Sequence, residues 1–303
     1  MGQNLTRQPA KEVLSPHPAI PLAIKGDYDA FIKHPDTYGK VDAQDNNCLH
    51  GLFTATSATS EHIKIFHHLS THFSPSSPAP EGSSSASSSS LLSLVRSKNN
   101  LGCNVVWIGV AYQSISLLDE LVEALGAAEV KGLAMVPNDQ GDTGILAAVS
   151  RGGTASLGWI KGLFEGDKEG MEALARTTNK DGTDLVQAAV GGRHEGTVRS
   201  LISLFPLLGY GAANDKGIYP MHLAAERDCG GIVKALKEAG AGVEVRDKNG
   251  ATPLMVAAFV GAKDAARKLI DAGADKEKRD GEGRRAVDLA EIKNMQEIVD
   301  ILK

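Results

Sequence analysis

The sequence predicts an all-α protein, a solenoid of about eight helix-turn-helix repeats with a disordered Ser-rich insertion. Two observations lead to this fold class. Similar segments recur at a step of 33 residues, between Tyr219 and Thr252 and between Asp247 and Asp280, and this step is typical of stacked helical repeats. The chain also has 33 glycines but only 5% aromatic residues, which suits thin helices packed through small side chains. Because one helix pair is too thin to bury its own apolar face, we expect neighbouring copies to stack.

The unit from Asn249 to Asp280 shows the repeat in its clearest form. Pro253 stands where a first helix begins, a position whose N–H has no partner in any case. Gly261 supplies a break after that helix, because glycine adopts backbone angles that other residues avoid. A second helix is predicted over residues 264–272, and Gly273 ends it. A charged extended segment then leads to the next copy.

Earlier and later copies follow the same pattern with less regular spacing. They begin at positions 17, 47, 104, 143, 183, 219, 252 and 285. Their second helices are predicted over residues 28–33, 60–72, 117–125, 159–164, 198–204 and 298–302. Several steps between positions 47 and 219 exceed 33 residues, so we predict loop insertions at 74–90, 126–136 and 165–170.

The predicted domain organisation follows from these copies. Residues 1–15 form a flexible N-terminal segment, and 16–73 hold degenerate N-terminal repeats. Residues 74–92 form a flexible loop, because their Ser, Pro and Gly side chains offer little to bury. Residues 93–303 form the main solenoid, which ends in a capping repeat.

Two segments, YPMHLAA and TPLMVAA, carry the repeat motif together with the glycines around them. The residues of the pattern are Gly217, Pro220, His222, Leu223, Ala224, Ala225, Gly250, Thr252, Pro253, Leu254, Ala257, Ala258, Gly261, Gly273 and Ala274. In these residues the chain resembles the ankyrin-repeat family, most closely over 214–303, less over 138–213 and least over 15–137. The resemblance implies a non-enzymatic scaffold or adaptor that binds a protein through its hairpin tips and concave groove. It also implies that His50 and His222 join neighbouring hairpins by hydrogen bonds.

The resemblance also supplies the candidate partner-binding residues. They are Asp215, Lys216, Ile218, Arg227, Lys248, Asn249, Phe259, Val260, Glu282 and Arg284. Further tip residues are Asp139, Gln140, Asp142 and Lys180. The alternative for any one of them is a merely solvated tip, since few contacts dominate a binding surface. An exposed apolar pair such as Phe259 and Val260 is the strongest indication of a partner.

Composition limits the cellular location and the classes of partner that we expect for this chain. The net charge of −5 combines both signs, which argues against a nucleic-acid partner. No apolar run approaches the roughly 18 residues of a membrane span. Cys48, Cys103 and Cys229 are scattered, so we expect free thiols in a reducing compartment and a cytoplasmic protein.

The first six residues, MGQNLT, match the N-myristoylation pattern. Gly2 would be acylated after removal of the methionine. One lipid chain binds a membrane only marginally, with an association constant near ~10⁴ M⁻¹, and Arg7 and Lys11 are too few for a basic patch. The hypothesis is therefore a lipoprotein with peripheral membrane contact. A structural subunit of a cytoskeletal or axonemal assembly is the alternative.

Catalytic and metal-binding motifs are not evident. There is no phosphate-binding Gly-Lys-Ser/Thr loop, no Gly-x-Ser-x-Gly elbow and no His-Glu-x-x-His. We therefore predict no catalytic residue, metal or cofactor, although an enzyme site in 91–175 remains an alternative. The aromatic residues there are interpreted as core: Trp107, Tyr112 and Trp159. A histidine cluster lacks further ligands at useful spacing: His62, His67, His68 and His72.

Overall fold

The computed structural model describes residues 18–38, 40–55, 58–73, 90–206, 208–214 and 217–303. All regular secondary structure within these ranges is helical. The chain divides into two compact units, Met1–Val105 and Val106–Lys303. The first 17 residues, with Gly2, and residues 74–89 of the predicted Ser-rich loop lie outside the described ranges.

The first unit contains five α-helices and a short 3-10 helix, Pro35–Thr37, among its described residues. The α-helices are α1 (Ala19–Lys25), α2 (Tyr28–Phe31), α3 (Cys48–Phe53), α4 (Ser60–His72) and α5 (Leu91–Arg96). Helices α1 and α3 pack closely at Gly51, where an added Cβ would lie 3.2 Å from the carbonyl oxygen of Ile20. The rings of Phe31 and Tyr38 stack at 4.6 Å and are fully buried. This unit therefore has an aromatic core.

Asn47 connects α3 to the segment that follows the Ser-rich stretch. Its Oδ1 accepts a hydrogen bond from the His50 N–H at 3.0 Å, which caps α3. Its Nδ2 donates to the carbonyl of Leu94 at 3.0 Å and to Ser97 Oγ at 2.9 Å. Two distant parts of the sequence are thus joined through one buried side chain.

The second unit is a row of helix pairs. The inner helices are α6 (Val105–Tyr112), whose first residue lies at the unit boundary, α9 (Gly144–Ser150), α12 (Leu185–Gly191), α14 (Pro220–Glu226), α16 (Pro253–Val260) and α18 (Ala286–Ile292). The outer helices are α7 (Ile115–Leu125), α10 (Thr154–Leu163), α13 (Glu195–Leu204), α15 (Gly230–Glu238), α17 (Lys263–Asp271) and α19 (Gln296–Leu302). Inner helices from α9 onward contact inner neighbours, and outer helices contact outer neighbours. The predicted stacking is confirmed in this unit.

Two predicted loops are helices instead. Residues 126–136 hold α8 (Ala127–Ala134), and α11 (Lys168–Ala175) begins within the predicted loop 165–170. Val130 and Leu133 are three residues apart and buried, and α11 buries Leu174. The loop prediction was wrong because it considered only the spacing between copies and overlooked apolar residues at helical intervals.

Helix boundaries differ from the prediction mainly at their starts. Helices α7, α10 and α13 begin two to five residues earlier than predicted. The first turns of α10 and α13 consist mostly of polar and small residues, which carry little periodic signal. Inner helix α12 is capped by Asp184, whose carboxylate accepts from the Gln187 N–H at 2.8 Å. The copy assigned to position 183 is therefore shifted by one residue.

A tight hairpin precedes α3 and each inner helix of the second unit. Its first residue is an Asn or Asp whose Oδ1 accepts the backbone N–H four residues later, the geometry of an extended Asx turn. These residues are Asp42, Asn99, Asn138, Asn179, Asn214, Asp247 and Asp280. The inner helix follows at a constant offset. Local side-chain chemistry thus sets the start of each repeat.

Candidate protein-binding surface

A side chain at the third position of the inner helix connects four repeats to the hairpin that follows. It is an imidazole at His50 and His222, an indole at Trp107 and an amide at Gln187. Each nitrogen donates to the carbonyl just before the next inner helix, at distances of 3.1, 2.9, 2.7 and 3.1 Å respectively. The hydrogen bonds expected of His50 and His222 are confirmed. Trp107 and Gln187 perform the same role with different chemistry.

Burial favours the neutral form of these imidazoles. It lowers the pKa of His50 and of His222, because a charged ring is poorly solvated there, and the hydrogen bonds to Cys103 O and Ala251 O offset only part of the effect. In His50, Nδ1 accepts from the Asn47 N–H at 3.2 Å, so the proton of the neutral ring is on Nε2. Both histidines therefore have a structural function.

The hairpin tips are partly occupied by bonds within the protein. Asn249 O accepts from the Gly281 N–H of the next hairpin at 3.0 Å, and the stem of Lys248 lies against Gly217. Arg284 pairs with Asp280 at 2.8 Å and with Glu282 at 2.6 Å. Among these tip side chains, Lys248 is the least constrained, since its ammonium group forms no ion pair with any residue that the structure describes.

Asp280 shows how strongly one tip is held. Burial pushes the pKa of its carboxyl group upward, but hydrogen bonds from the Arg284 N–H and guanidinium and from the Glu282 N–H outweigh that effect. The net result is a pKa below the ordinary value. Arg284 thus supports the hairpin, whatever contact it makes with a partner.

The earlier tips include a similar mixture of structural and exposed residues. The carbonyl of Asp142 accepts the Trp107 indole, and its carboxylate accepts Asn179 Nδ2 at 3.0 Å. Gln140 O accepts the Lys180 N–H at 3.1 Å, and the side chains of Asp139, Gln140 and Lys180 are exposed. The tips therefore combine inter-repeat hydrogen bonds with accessible side chains.

Three apolar residues form the most exposed hydrophobic feature of the second unit, and we call them the apolar patch. Phe259, Val260 and Ile292 have exposed fractions of 45%, 41% and 62%. Phe259 and Ile292 occupy the same position in successive repeats, at the ends of α16 and α18. Lys293 Nζ lies 4.2 Å from the centroid of the Phe259 ring, a cation–π contact. Apolar side chains so exposed, at one edge of neighbouring repeats, are typical of a contact site.

The remaining candidate residues differ in how the structure describes them. Asp215, Lys216 and Gly2 are outside the described residues. Arg227 is exposed at the end of α14, whereas Ile218 is half-buried and its carbonyl accepts Gln187 Nε2. The selection of partner-binding residues stays a prediction.

Sequence reasoning missed Ile292 and Lys293. The signal was available, because Ile292 follows Phe259 by one full repeat step and belongs to the weaker eighth copy. That copy has Arg285-Ala286-Val287 in place of Thr-Pro-Leu, so its motif is harder to align with the others. An apolar residue at a repeat's solvent-facing position is detected only when the copies are aligned residue by residue.

The histidine cluster is engaged in local contacts. His62 Nε2 bonds Ile24 O at 3.2 Å, and its Nδ1 accepts from the Thr59 N–H. His68 Nε2 lies 3.1 Å from Tyr38 Oη, whose own proton goes to Phe31 O. Among the described residues, no three His, Cys, Asp or Glu side chains gather as metal ligands.

Region 91–175 contains an open groove but no assembled catalytic set. The groove has a volume of about 530 Å³ and is lined by α10 and α11 residues such as Phe164 and Met171. Asp167 in the groove lining accepts a hydrogen bond from the Gly170 N–H and pairs with Lys131. Both contacts hold the pKa of its carboxyl group below the ordinary value. Trp107 is buried, as expected of a core residue. The core interpretation was wrong for Tyr112 and Trp159, which are half-buried: Arg151 lies over the Tyr112 ring, and Trp159 Nε1 donates to Asp119 at 2.8 Å.

The comparisons agree with the repeat geometry. A family model for ankyrin repeats in three copies matches residues 185–280 and 221–303. No curated protein matches the chain. Among the described residues, no helix has the length and apolar content needed to cross a membrane. The matched repeats, the stacked helix pairs and the hairpin hydrogen bonds lead to one assignment: residues 185–303 are ankyrin repeats.

Proposed function

We propose that this chain is a non-enzymatic scaffold or adaptor that binds a protein partner through the apolar patch and the neighbouring hairpin tips. Ankyrin repeats form a protein–protein interaction domain. The observation that carries the proposal is the exposure of Phe259, Val260 and Ile292 on adjacent inner-helix ends. Apolar side chains of this size gain free energy when a partner removes them from water, about 25 cal/mol per Å² of apolar surface.

The repeat interior supports binding by keeping this surface fixed. His222 anchors α14 to the hairpin before α16, and Arg246 donates to Gly250 O and to Arg279 O at 2.6 and 2.7 Å. Because neighbouring repeats are joined by such bonds, little backbone freedom remains to be lost on association. A preorganised surface therefore retains more of its contact energy as affinity.

The N-terminal motif adds a tether to this proposal. Gly2 stands in a myristoylation pattern, and a single acyl chain supplies only reversible membrane attachment. A protein partner would provide the second contact. Substitution Gly2→Ala should move the protein from the membrane fraction to the supernatant while partner binding by the purified protein is unchanged. Equal distribution of both forms would contradict the tether.

Affinity purification with quantitative mass spectrometry tests the binding surface. The wild-type protein is compared with Phe259→Ser/Ile292→Ser and with Ile24→Ser, a control of equal exposure to Phe259 at 45% in the first unit. The expected result is loss of specific partners from the double variant alone, with an unchanged urea unfolding midpoint. Retention of the same partners by the double variant would contradict the proposal. It would favour contacts through inserted helices α8 and α11, as in a structural assembly.

A further inference from the structure

A row of cations follows the ends of the inner helices in the second unit. We call Arg151, Arg193, Arg227 and Lys293 the basic row. Each lies at or one residue beyond the C-cap of α9, α12, α14 or α18. The first three occur in three consecutive repeats. The fourth follows after the α16 repeat, where Val260 takes the equivalent place.

Contacts between repeats show that these positions are neighbours in space. Arg151 lies 4.5 Å from the ring centroid of Tyr112, the equivalent residue of the preceding repeat. At the other end, Lys293 lies over Phe259 of the preceding repeat. Between them, the Arg193 side chain hydrogen-bonds Cys229 of the next repeat. The row therefore adjoins the apolar patch at Lys293.

The cations of this row are available to a partner. Among the described residues, none of the four cations forms an ion pair. Three exposed carboxylates, Glu226, Asp228 and Glu291, share the edge with the four cations, and Asp228 also accepts from the Ala265 N–H at 2.9 Å. Around Arg151 and Arg193 the inner-helix ends carry Ser150, Gly191 and Gly192, and the His194 imidazole lies beside Gly152 and Gly192; no carboxylate belongs to these helix ends. The helix dipole favours a cation at these ends, but it does not account for the exposed apolar side chains beside them.

We propose, resting on the function above, that the partner contributes an extended acidic segment that lies along the basic row and ends on the apolar patch. Neighbouring helices lie about 8–10 Å apart. A partner chain in the polyproline II conformation advances about 3.1 Å per residue with three residues per turn, so every third side chain points to the same side. One repeat therefore corresponds to three residues of the partner. Acidic side chains at every third position would meet successive cations of the row, and an aliphatic residue would meet Phe259, Val260 and Ile292.

Synthetic peptides test this spacing with the full-length protein. The probe is a fluorescein-labelled peptide of about 13 residues, with Glu at every third position except the one facing Val260, where Leu stands. Ser and Gly fill the other positions, and the reversed sequence is included so that either chain direction is sampled. A shuffled peptide of the same composition, with adjacent glutamates, is the matched control. Fluorescence anisotropy should show tighter binding of one periodic peptide, weakening with added salt.

Protein variants separate the row from general charge. Arg193→Gln/Arg227→Gln removes two cations of the basic row, and Lys234→Gln/Lys237→Gln removes two from outer helix α15. Each row cation should contribute about a two- to fivefold change in affinity, so the first variant should bind about fivefold or more weakly and the second unchanged. Equal binding of shuffled and periodic peptides, or equal loss in both variants, would overturn the proposal.

Further arms identify other ligands and separate the two proposals. Tighter binding to phosphatidylserine vesicles or to duplex DNA than to the periodic peptide would overturn the acidic-segment proposal. So would self-association in sedimentation that Arg193→Gln/Arg227→Gln abolishes, because the row would then contact a second copy. If partner capture depends on Phe259 and Ile292 while the peptide results fail, the acidic segment alone is refuted. If capture is also unaffected by the patch substitutions, the proposed function is refuted with it.

Discussion

Replacement of His222 provides the sharpest test of how the repeats hold together. His222 is buried, and its Nε2 donates to Ala251 O at 2.9 Å. In His222→Ala the carbonyl loses this donor, which costs about 1–3 kcal/mol where water does not replace it. Truncation also leaves space among packed neighbours, so the expected total is about 2–4 kcal/mol. This is a large share of the roughly 5–15 kcal/mol that stabilises a typical native protein.

The matched variant is His222→Gln, because the chain already uses glutamine at the equivalent place. Gln187 Nε2 donates to Ile218 O at 3.1 Å. His222→Gln should therefore lose less than about 1 kcal/mol, about the net value of one hydrogen bond. Urea unfolding followed by circular dichroism measures both, and a loss of about 3 kcal/mol moves the midpoint by about 1–3 M at ordinary m-values. Equal losses in the two variants would refute the reasoning, since shape and not the donated bond would then matter.

Three further predictions concern stability. First, the pKa of His50 and of His222 is lowered from 6.5 on folding, so the unfolded chain binds more protons and stability should fall as pH drops below 6.5. Thermal melts at about pH 7.5 and 5.5 should show a smaller loss of stability for His222→Gln than for the wild-type protein. An identical loss in both proteins would contradict this. Second, Gly144→Ala should destabilise the protein because its Cβ would lie 2.8 Å from Trp107 O, whereas the Cβ of Gly158→Ala meets nothing within 4 Å and should stabilise by about 0.5–1 kcal/mol. Urea unfolding measures both, and changes in stability of the same sign would contradict this prediction. Third, Asn47→Ala removes a helix cap and two donated hydrogen bonds and should lower the free energy of unfolding by about 2–4 kcal/mol. An almost unchanged urea midpoint would contradict this prediction.

Much of the fold is predictable because the repeat is written in local signals. Thr252 and Pro253 specify a helix start, and in the structure Thr252 Oγ1 accepts the Met255 N–H at 3.4 Å. The first-unit helix α4 was predicted at its observed bounds, Ser60–His72. Caps and glycine breaks act within a few residues of chain, so a single sequence contains them.

The missed parts depend on tertiary contacts. Helix α8 is stabilised by burial of Val130 and Leu133, and nothing in the spacing of copies requires it. Trp107 was expected to fill the core, and its donated bond to Asp142 O became evident only once the two repeats were adjacent. The basic row could not be predicted from the sequence either, because Arg151 and Arg227 are far apart in sequence and lie on one surface only once the repeats have stacked.

The constant offset between hairpin and inner helix has a consequence for how this protein tolerates change. Helices α5, α8 and α11 all lie between an outer helix and the hairpin that follows it. Added residues enter only there, so the Asx turns restart the register and the edge formed by Arg151, Arg227 and Phe259 is preserved. Insertions and deletions at these junctions can therefore accumulate over evolutionary time while the geometry of the proposed binding edge is retained.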